Sequence, residues 1–188
     1  MRALGKGFVV MFALIGIIAT IQQLRGQGAV PFEGATFSHI GIVTPDIMKT
    51  AQVFADLYGV TVPEPGIYDN RGEGLAVPAG ANWNKAARAR TTRFAVAGTF
   101  IELLEPIDGP SPWADHLEKY GMSVHHIAWR PKGVEQARLA LLKQGGKWVM
   151  GSGGENMAYV DMRDVVGVTI EVQPPAGPGA PAPPSDLR

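Results

Sequence analysis

The chain has 188 residues, 46% of them hydrophobic and 18% charged, and its formal net charge at pH 7 is zero. These values are typical of one globular domain with a sizeable core, and the balanced charge argues against nucleic acid as a partner. The chain has no cysteine, which excludes disulfide bonds and thiolate metal sites.

The first residues predict an export signal. Arg2 and Lys6 precede the uncharged run Gly7–Ile21, which at ~1.5 Å per residue spans roughly 22 Å, less than the ~30 Å hydrocarbon core of a membrane. Residues 1–28 therefore resemble a secretory signal peptide with a small-x-small cleavage site at Gly26–Gly28, and its retention as an N-terminal membrane anchor stays open. In either case we expect a domain that is periplasmic, secreted or anchored facing outside the cytoplasm.

The other end of the chain predicts a tail. From Pro174 the sequence reads PPAGPGAPAPPSDLR, which is too poor in apolar side chains to order itself against a core. We therefore expect residues 174–188 to be disordered and residues 35–173 to form the folded domain.

Two pairs of similar stretches indicate an internal duplication. HIGI at 39–42 resembles HIAW at 126–129, and IEL at 101–103 resembles IEV at 170–172. The two histidines are farther apart than the two glutamates, so the first copy carries the longer internal loop. Two copies of one supersecondary unit are the simplest explanation.

Each copy is predicted to contain a strand, a helix and three further strands. The copies cover residues 36–106 and 122–173, and this βαβββ pattern, occurring twice, predicts an α+β fold with a curved mixed sheet. In the first copy, Thr44 is the expected N-cap of a helix that ends at Gly59, and the segment 60–64 (VTVPE) is the expected second strand.

Alternation along the strands predicts which side chains share a face. The apolar set is expected to pack beneath the helices: Ile40, Ile42, Ile101, Leu103, Ile127, Trp129, Ile170 and Val172. The other face carries His39, Glu102, His126 and Glu171, with small residues two positions after each histidine. His125 alternates with His126, so we expect it on the helix-packed or edge side.

Two histidines and two glutamates on one concave face predict a divalent-metal site. Two neutral imidazoles and two carboxylates balance a doubly charged cation and leave coordination positions for water or substrate oxygens. The mixed donors suit Ni, Co, Mn, Fe or Zn. A single histidine in a strand is more often structural, but packing gives no reason for the same two polar residues to recur in both copies.

These motifs, together with RDVVGVTIE at Arg163–Glu171, resemble those of the vicinal oxygen chelate superfamily, which includes glyoxalase I, methylmalonyl-CoA epimerase and extradiol dioxygenases. The resemblance implies paired βαβββ modules that form a cup around one metal ion, held by His39, Glu102, His126 and Glu171. It also implies a small oxygen-chelating substrate. Whether the site lies within one chain or is shared across a homodimer stays open.

Within that superfamily the stretch 101–133 is most similar to methylmalonyl-CoA epimerase. The resemblance implies Glu171 as the catalytic base, with Glu102 as a second candidate. Two positions depart from the epimerase pattern: Glu102 stands where glutamine is usual, and Arg93 is nearest to the position of the epimerase's third-strand glutamate base. The loss of that glutamate argues against epimerisation by two bases.

We therefore expect an exported, metal-dependent isomerase or lyase that polarises a chelated carbonyl substrate for α-proton transfer. Export would separate such an enzyme from coenzyme A and glutathione thioesters, which are mainly cytosolic. Two alternatives stay open. An extradiol-type dioxygenase needs two histidines and one carboxylate, and Glu102 would crowd its open positions; a non-catalytic small-molecule binder would not need the complete set of ligands.

Two further residues are predicted to contact the substrate. Arg93 offers a cation to an anionic group, and Trp83 lies in a segment predicted to be a long loop, residues 66–89, that could form a lid or a substrate wall. Ser111 and Pro112 predict the start of another helix, on which His116 is expected to face solvent.

Overall fold

The structure, a computed structural model, describes residues 30–69, 87–96, 98–151 and 154–177. The predicted export signal, Trp83 and residues 178–188 of the predicted tail lie outside these ranges, so the predictions for them and for the domain boundaries stay predictions. Among the described residues, no helix is both long and apolar enough to cross a bilayer.

The described elements follow the predicted order. The first module consists of β1 (Thr36–Val43), α1 (Ile47–Tyr58), β2 (Gly66–Asp69), β3 (Arg88–Val96) and β4 (Thr99–Ile107). Helix α2 (Pro112–Tyr120) leads to the second module, which consists of β5 (Ser123–Arg130), α3 (Val134–Lys143), β6 (Lys147–Gly151), β7 (Ala158–Asp161), α4 (Arg163–Val166) and β8 (Thr169–Val172).

The eight strands of the described residues form one curled mixed sheet in the order β2-β3-β4-β1-β5-β8-β7-β6. Strands β1 and β5 pair antiparallel at its centre, β1 pairs parallel with β4, and β5 pairs parallel with β8. Read outward from the central pair, each half contains the first, fourth, third and second strand of its module. This symmetry confirms the duplication and the α+β fold of paired βαβββ modules.

The register of the central pair places each histidine opposite a small residue. His39 is paired with Ala128, and Gly41 is paired with His126. A Cβ atom on Gly41 would lie 2.0 Å from Cε1 of His126, a separation at which atoms overlap. Glycine at this position therefore leaves the space that the His126 ring occupies.

The helices cover the outer face of the sheet, as the alternation predicted. Helix α1 packs its residues Ile47, Ala51 and Ala55 against Phe94 and Leu103 of the first module. Helix α3 covers the second module, where a separate cluster contains Val134, Ala137, Val160, Ile170 and Val172. Burial of these apolar side chains is the main contribution to the stability of each half.

The start of α1 differs from the prediction. Asp46 is the N-cap, and its Oδ1 accepts a hydrogen bond of 3.0 Å from the backbone N–H of Lys49. Thr44 instead accepts from the N–H of Asp46 through its Oγ1, at 3.2 Å. Both residue types are good caps, and the sequence alone did not distinguish them. Gly59 ends the helix in the left-handed region, as predicted.

The second strand also differs from the prediction. Residues 60–64 do not form a strand, because Pro63 and Pro65 lack the N–H groups that a sheet ladder needs. Strand β2 lies at Gly66–Asp69 and pairs with the first residues of β3. Both ends of the predicted loop 66–89 belong to strands, and residues 70–86 between them lie outside the described ranges.

Helix α2 closes one end of the cup. Ser111 caps it as predicted, with Oγ accepting a hydrogen bond of 3.0 Å from the backbone N–H of Ala114. Trp113 packs inside the cup against Leu104 and Tyr159. The prediction that His116 faces solvent is wrong: because α2 packs over the sheet, this side chain is buried, with Nε2 2.9 Å from Ser123 Oγ.

Candidate metal centre

The four predicted ligands converge on the inner face of the sheet. Nε2 of His39 lies 2.9 Å from Nε2 of His126. Glu171 Oε2 is 3.1 Å from both of these nitrogens, and Glu102 Oε2 is 3.3 Å from His39 and 3.7 Å from His126. All four side chains are buried. The structure thus brings together, from four strands, the residues that the duplication predicted.

This cluster attracts a cation. Burial lowers the pKa of His39, but the Glu102 and Glu171 carboxylates outweigh burial and raise it to about 9. Burial raises the pKa of Glu171, but the His126 and His39 imidazoles lower it well below its usual range. Glu102 shows the same balance, with the pKa lowered by His39 and by Arg93. A positive charge among the four groups, on His39 or on a metal ion, therefore stabilises the site.

The donor set fits a divalent metal ion. Atoms bound about 2.1 Å from one ion, at right angles to each other, lie roughly 3 Å apart, and the separations that involve a histidine nitrogen run from 2.9 to 3.7 Å. The ligand atoms of His39, Glu102 and His126 all lie within 4.8 Å of one another, a group that does not include Glu171. Glu171 Oε2 is buried and makes no hydrogen bond of good geometry among the described residues, although the two histidine nitrogens lie 3.1 Å away. Coordination of an ion would give this oxygen a well-directed partner. The ligand roles of these residues stay predictions.

The second nitrogen of each histidine has its own partner. His39 Nδ1 lies 3.1 Å from Ser38 Oγ, and His126 Nδ1 lies 2.9 Å from Nδ1 of His125. A neutral imidazole that donates Nδ1–H presents a lone pair at Nε2. Both contacts are therefore compatible with Nε2 as the metal-binding atom, and such partners hold the ring of a ligating histidine in place.

The predicted orientation of His125 is wrong. Gly41 pairs with His126 and Ile42 pairs with Val124, so a β-bulge leaves His125 as the extra residue of β5. A bulge interrupts the alternation of side chains. The His125 ring consequently lies beside Tyr159 of the inner face and His116 of α2, with ring centroids 5.5 Å and 5.0 Å away. His125 contacts His126 but lies outside the four-residue cluster.

The two carboxylates differ in their partners. Glu102 Oε1 accepts a hydrogen bond of 2.8 Å from Arg93 Nε, and Nη2 of the same guanidinium forms an ion pair with it at 2.6 Å. Glu171 Oε1 accepts one from Gln173 Nε2 at 2.8 Å. Strand register explains the difference, because Arg93 is paired with Glu102 and Tyr159 is paired with Glu171. One carboxylate is therefore bound to a cation and the other to a neutral amide.

A cavity of about 350 Å³ leads to the centre. Glu102 and Glu171 line it together with Arg93, and aromatic side chains form much of the remaining wall, namely Tyr68, Trp113 and Tyr159. Arg93 lines this cavity, and its contact with a substrate stays a prediction, whereas Trp83 lies outside the described residues. A second cavity of about 320 Å³, beside α2, is lined by none of the four predicted ligands.

Sequence analysis overlooked three residues around the centre. Ser38 directly precedes His39, as His125 precedes His126, and Gln173 lies two positions after Glu171. Their closeness in sequence to a predicted ligand could have identified both residues. Tyr159 corresponds to Arg93 when the third strands of the two modules are compared. The apolar surroundings of Tyr159 in the sequence AYV gave no indication that it faces the site.

Comparisons with known proteins agree with this architecture. Residues 38–179 match the family described as the Glyoxalase/Bleomycin resistance protein/Dioxygenase superfamily. Mitochondrial methylmalonyl-CoA epimerase of Dictyostelium discoideum is 23% identical over 143 residues, which are 72% of this chain and 76% of the epimerase. The uncharacterized protein YqjC of Bacillus subtilis (strain 168) is 30% identical over 89 residues, covering 45% of this chain and 64% of that protein, less than two thirds of its length.

Solved structures show the same fold. Methylmalonyl-CoA epimerase from Mycobacterium tuberculosis superposes with a TM-score of 0.52 at 22% identity, covering 75% of this chain and 88% of that chain. A variant of the Streptomyces coelicolor epimerase in complex with 2-nitronate-propionyl-CoA gives a TM-score of 0.52 at 21% identity, covering 74% and 97%. With the family match spanning most of its length, the chain belongs to the Glyoxalase/Bleomycin resistance protein/Dioxygenase superfamily.

Proposed function

We propose that the chain is a divalent-metal-dependent isomerase or lyase that transfers the α-proton of a small carbonyl substrate bound through its oxygens. The observation that carries this proposal is the convergence of His39, Glu102, His126 and Glu171 at the wall of a cavity. When bound, a divalent ion acts as a Lewis acid that polarises the carbonyl and stabilises the negative charge left by the departing proton.

Glu171 is the proposed base. Its Oε2 has no hydrogen-bond partner among the described residues, and its Oε1 is held by the neutral Gln173 amide. Glu102, in contrast, binds the guanidinium of Arg93 through a hydrogen bond and an ion pair. The Arg93 cation stabilises the Glu102 anion permanently, whereas the imidazoles that lower the pKa of Glu171 would be neutral as metal ligands. Glu171 is therefore better suited to take the substrate proton and return it.

Arg93 is the proposed anchor for the substrate. Burial lowers its pKa, but Glu102 raises it above the ordinary value, so the side chain stays cationic. Half of the side chain, 49%, is exposed toward solvent, and it lines the cavity. A permanent cation cannot act as a base at this position. The arrangement supports proton transfer by one base, with Arg93 holding an anionic group of the substrate.

The donor set supports this proposal over the two alternatives. A dioxygenase centre needs open positions for oxygen beside two histidines and one carboxylate, and Glu102 adds a fourth protein donor. A binder without catalysis would not need a carboxylate with a free oxygen against the cavity. Oxygen uptake by the Fe²⁺-loaded chain with catechol separates the dioxygenase from the isomerase, for which we expect none.

The substrate class is drawn from the relatives. Their printed names concern methylmalonyl-CoA, and a coenzyme A thioester is therefore the first probe. Export, predicted from residues 1–28, would instead favour a substrate found outside the cytoplasm. The glutathione hemithioacetal of methylglyoxal, a different carbonyl compound of the superfamily's chemistry, is the second probe, chosen for its chelating oxygens and not for its location.

The test follows exchange of the α-proton. The full chain, loaded with Co²⁺, is incubated in D₂O with each probe, and loss of the α-proton signal is measured by NMR. We expect exchange with at least one probe, its loss after EDTA treatment, and its absence in Glu171→Gln. With methylmalonyl-CoA we expect exchange that retains the configuration of the α-carbon. No exchange with either probe by the metal-loaded chain would contradict the proposal.

A further inference from the structure

A line of hydrogen bonds runs behind the candidate metal centre and joins two of its ligands. Ser38 Oγ lies 3.1 Å from His39 Nδ1 and donates to Gln173 Oε1 at 3.2 Å. Gln173 Nε2 donates to Glu171 Oε1 at 2.8 Å. The line therefore begins at a histidine of the first module and ends at a glutamate of the second.

The chemistry of the groups fixes the direction of every hydrogen bond in the line. An ionised carboxylate only accepts, so Gln173 must present its NH₂ to Glu171 and its carbonyl oxygen to Ser38. That carbonyl oxygen only accepts, so the Ser38 hydroxyl must donate its proton to it. The remaining lone pairs of Ser38 Oγ then accept the Nδ1–H of His39. With Nδ1 carrying the proton, the neutral form of His39 that a metal ion would bind has its lone pair at Nε2, directed at the cluster.

Backbone contacts hold both connecting residues in place. The backbone N–H of Gln173 donates to the carbonyl of Trp129 at 2.8 Å, and the carbonyl of Ser38 accepts from Thr99 Oγ1 at 2.7 Å. Ser38 is buried, with 9% of its surface exposed. Strand β1 and the residue that follows β8, from different modules, therefore present the hydroxyl and the amide at fixed positions.

The other two ligands lack this link. His126 is supported by His125, and Glu102 by Arg93. Ser38 and Gln173 are the described residues that connect a histidine ligand with a carboxylate ligand through neutral side chains. Substitution of Ser38 or Gln173 would therefore affect both the tautomer of His39 and the orientation of Glu171.

We propose that Ser38 and Gln173 are positioning residues that act as one unit, holding His39 in the tautomer that binds metal and aiming the free oxygen of Glu171 at the same point. This inference rests on the metal centre of the proposed function. Partners of this kind contribute about 10- to 100-fold to the affinity of a metal site. Since the hydrogen bonds are continuous, substitution of either residue is expected to remove most of this gain in metal affinity.

The experiment is a double-mutant cycle on metal affinity. The Kd for Co²⁺ is measured by titration of the full chain, following the visible absorption of the bound ion, for the parent, Ser38→Ala, Gln173→Met and the double variant. We expect each single substitution to weaken binding by about 10- to 100-fold and to change the cobalt spectrum, and the double variant to bind about as well as either single variant.

Two controls separate positioning from general destabilisation. Ser38→Thr keeps the hydroxyl and is expected to restore affinity to near the parent value. Thr92→Val removes a buried hydroxyl hydrogen bond, of 3.0 Å to the Pro63 carbonyl, on the face of the sheet that α1 covers. We expect it to lower the free energy of unfolding without a change in Co²⁺ affinity or spectrum.

The outcomes are distinct. If the parent binds Co²⁺, three results would overturn the positioning role while the metal centre stays supported. These are unchanged affinity in both single variants, losses of affinity that add in the double variant, and a loss in Ser38→Thr as large as that in Ser38→Ala. A parent that binds no Co²⁺, Ni²⁺, Mn²⁺, Fe²⁺ or Zn²⁺ overturns both this inference and the proposed function.

Discussion

The two modules of the chain place their predicted metal ligands in the same way. In each, the first strand supplies a histidine and the last strand supplies a glutamate: His39 and Glu102 from the first module, His126 and Glu171 from the second. The parallel pairing of first and last strand brings each histidine near a glutamate. The antiparallel contact of β1 with β5 then brings the two pairs together.

The modules differ in what surrounds these ligands. The glutamate of the first module lies opposite Arg93, whereas that of the second lies opposite Tyr159. The first histidine is supported by Ser38, and the second by His125 from a bulge. A symmetric scaffold thus holds chemically unequal carboxylates, one paired with a cation and one held by a neutral amide. In the proposed function this inequality gives the two glutamates different roles.

The largest expected effect comes from removing a ligand and comparing it with its neighbour. We expect His126→Ala to lower affinity for Co²⁺ by roughly 1,000-fold or more, because a donor atom is lost. His125→Ala removes only the partner of His126 Nδ1 and should weaken binding by about 10- to 100-fold. Metal content after dialysis measures both. Equal metal retention by the two variants would contradict the assignment of His126 as the ligand.

The next effect tests the space between the central strands. Gly41→Ala places a Cβ atom where the His126 ring lies, so we expect the ring to be displaced and affinity for Co²⁺ to fall roughly 100-fold or more. The matched variant in the other strand, Ala128→Gly, faces His39 and adds no atom. Cobalt titration of both variants should show a large loss only in the first. Parental affinity in Gly41→Ala would exclude this packing constraint.

The next comparison separates the two carboxylates by their effect on the exchange rate, not on metal affinity. With saturating metal, Glu171→Gln should slow α-proton exchange by roughly 100- to 10,000-fold, because the proposed base is lost. Glu102→Gln should weaken metal binding but retain more of the exchange rate, since this residue is paired with Arg93. Rates measured at saturating Co²⁺ by NMR in D₂O distinguish these effects. A slower rate in Glu102→Gln than in Glu171→Gln would reverse the assignment.

The smallest expected effect concerns Glu105, whose side chain lies on the opposite face of β4 from Glu102. Glu105 Oε2 accepts a hydrogen bond of 3.3 Å from the backbone N–H of Ile47 at the start of α1. We expect Glu105→Gln to lower the free energy of unfolding by about 0.5 kcal/mol, through loss of a charge at a helix N-terminus, with metal affinity unchanged. Urea denaturation and cobalt titration test the two statements. A loss of metal affinity would show that Glu105 belongs to the centre.

Much of the centre could be predicted from sequence because it depends on repetition and alternation. The recurrence of His-Ile and Ile-Glu in both copies identified all four residues that the structure brings together. Alternation along β4 also placed Glu105 on the side opposite Glu102, where it contacts α1. These features follow from strand geometry alone and need no knowledge of tertiary contacts.

The errors arose where tertiary structure overrides local pattern. A bulge in β5 turns His125 toward Tyr159, and no local feature of the sequence GMSVHHIAWR marks the bulge. His116 is buried because α2 folds over the end of the sheet, which the periodicity of a short helix does not reveal. The line from Ser38 to Gln173 joins residues 135 positions apart and exists only once both modules are assembled.

The account depends most directly on four side chains binding one ion. Crystals of the full chain grown with Co²⁺, with diffraction data collected at the cobalt absorption edge, test this through an anomalous difference map. We expect one strong peak per chain, bonded by Nε2 of His39 and His126 and by carboxylate oxygens of Glu102 and Glu171. A peak at other residues, or none at this position in protein that binds cobalt in solution, would contradict the account.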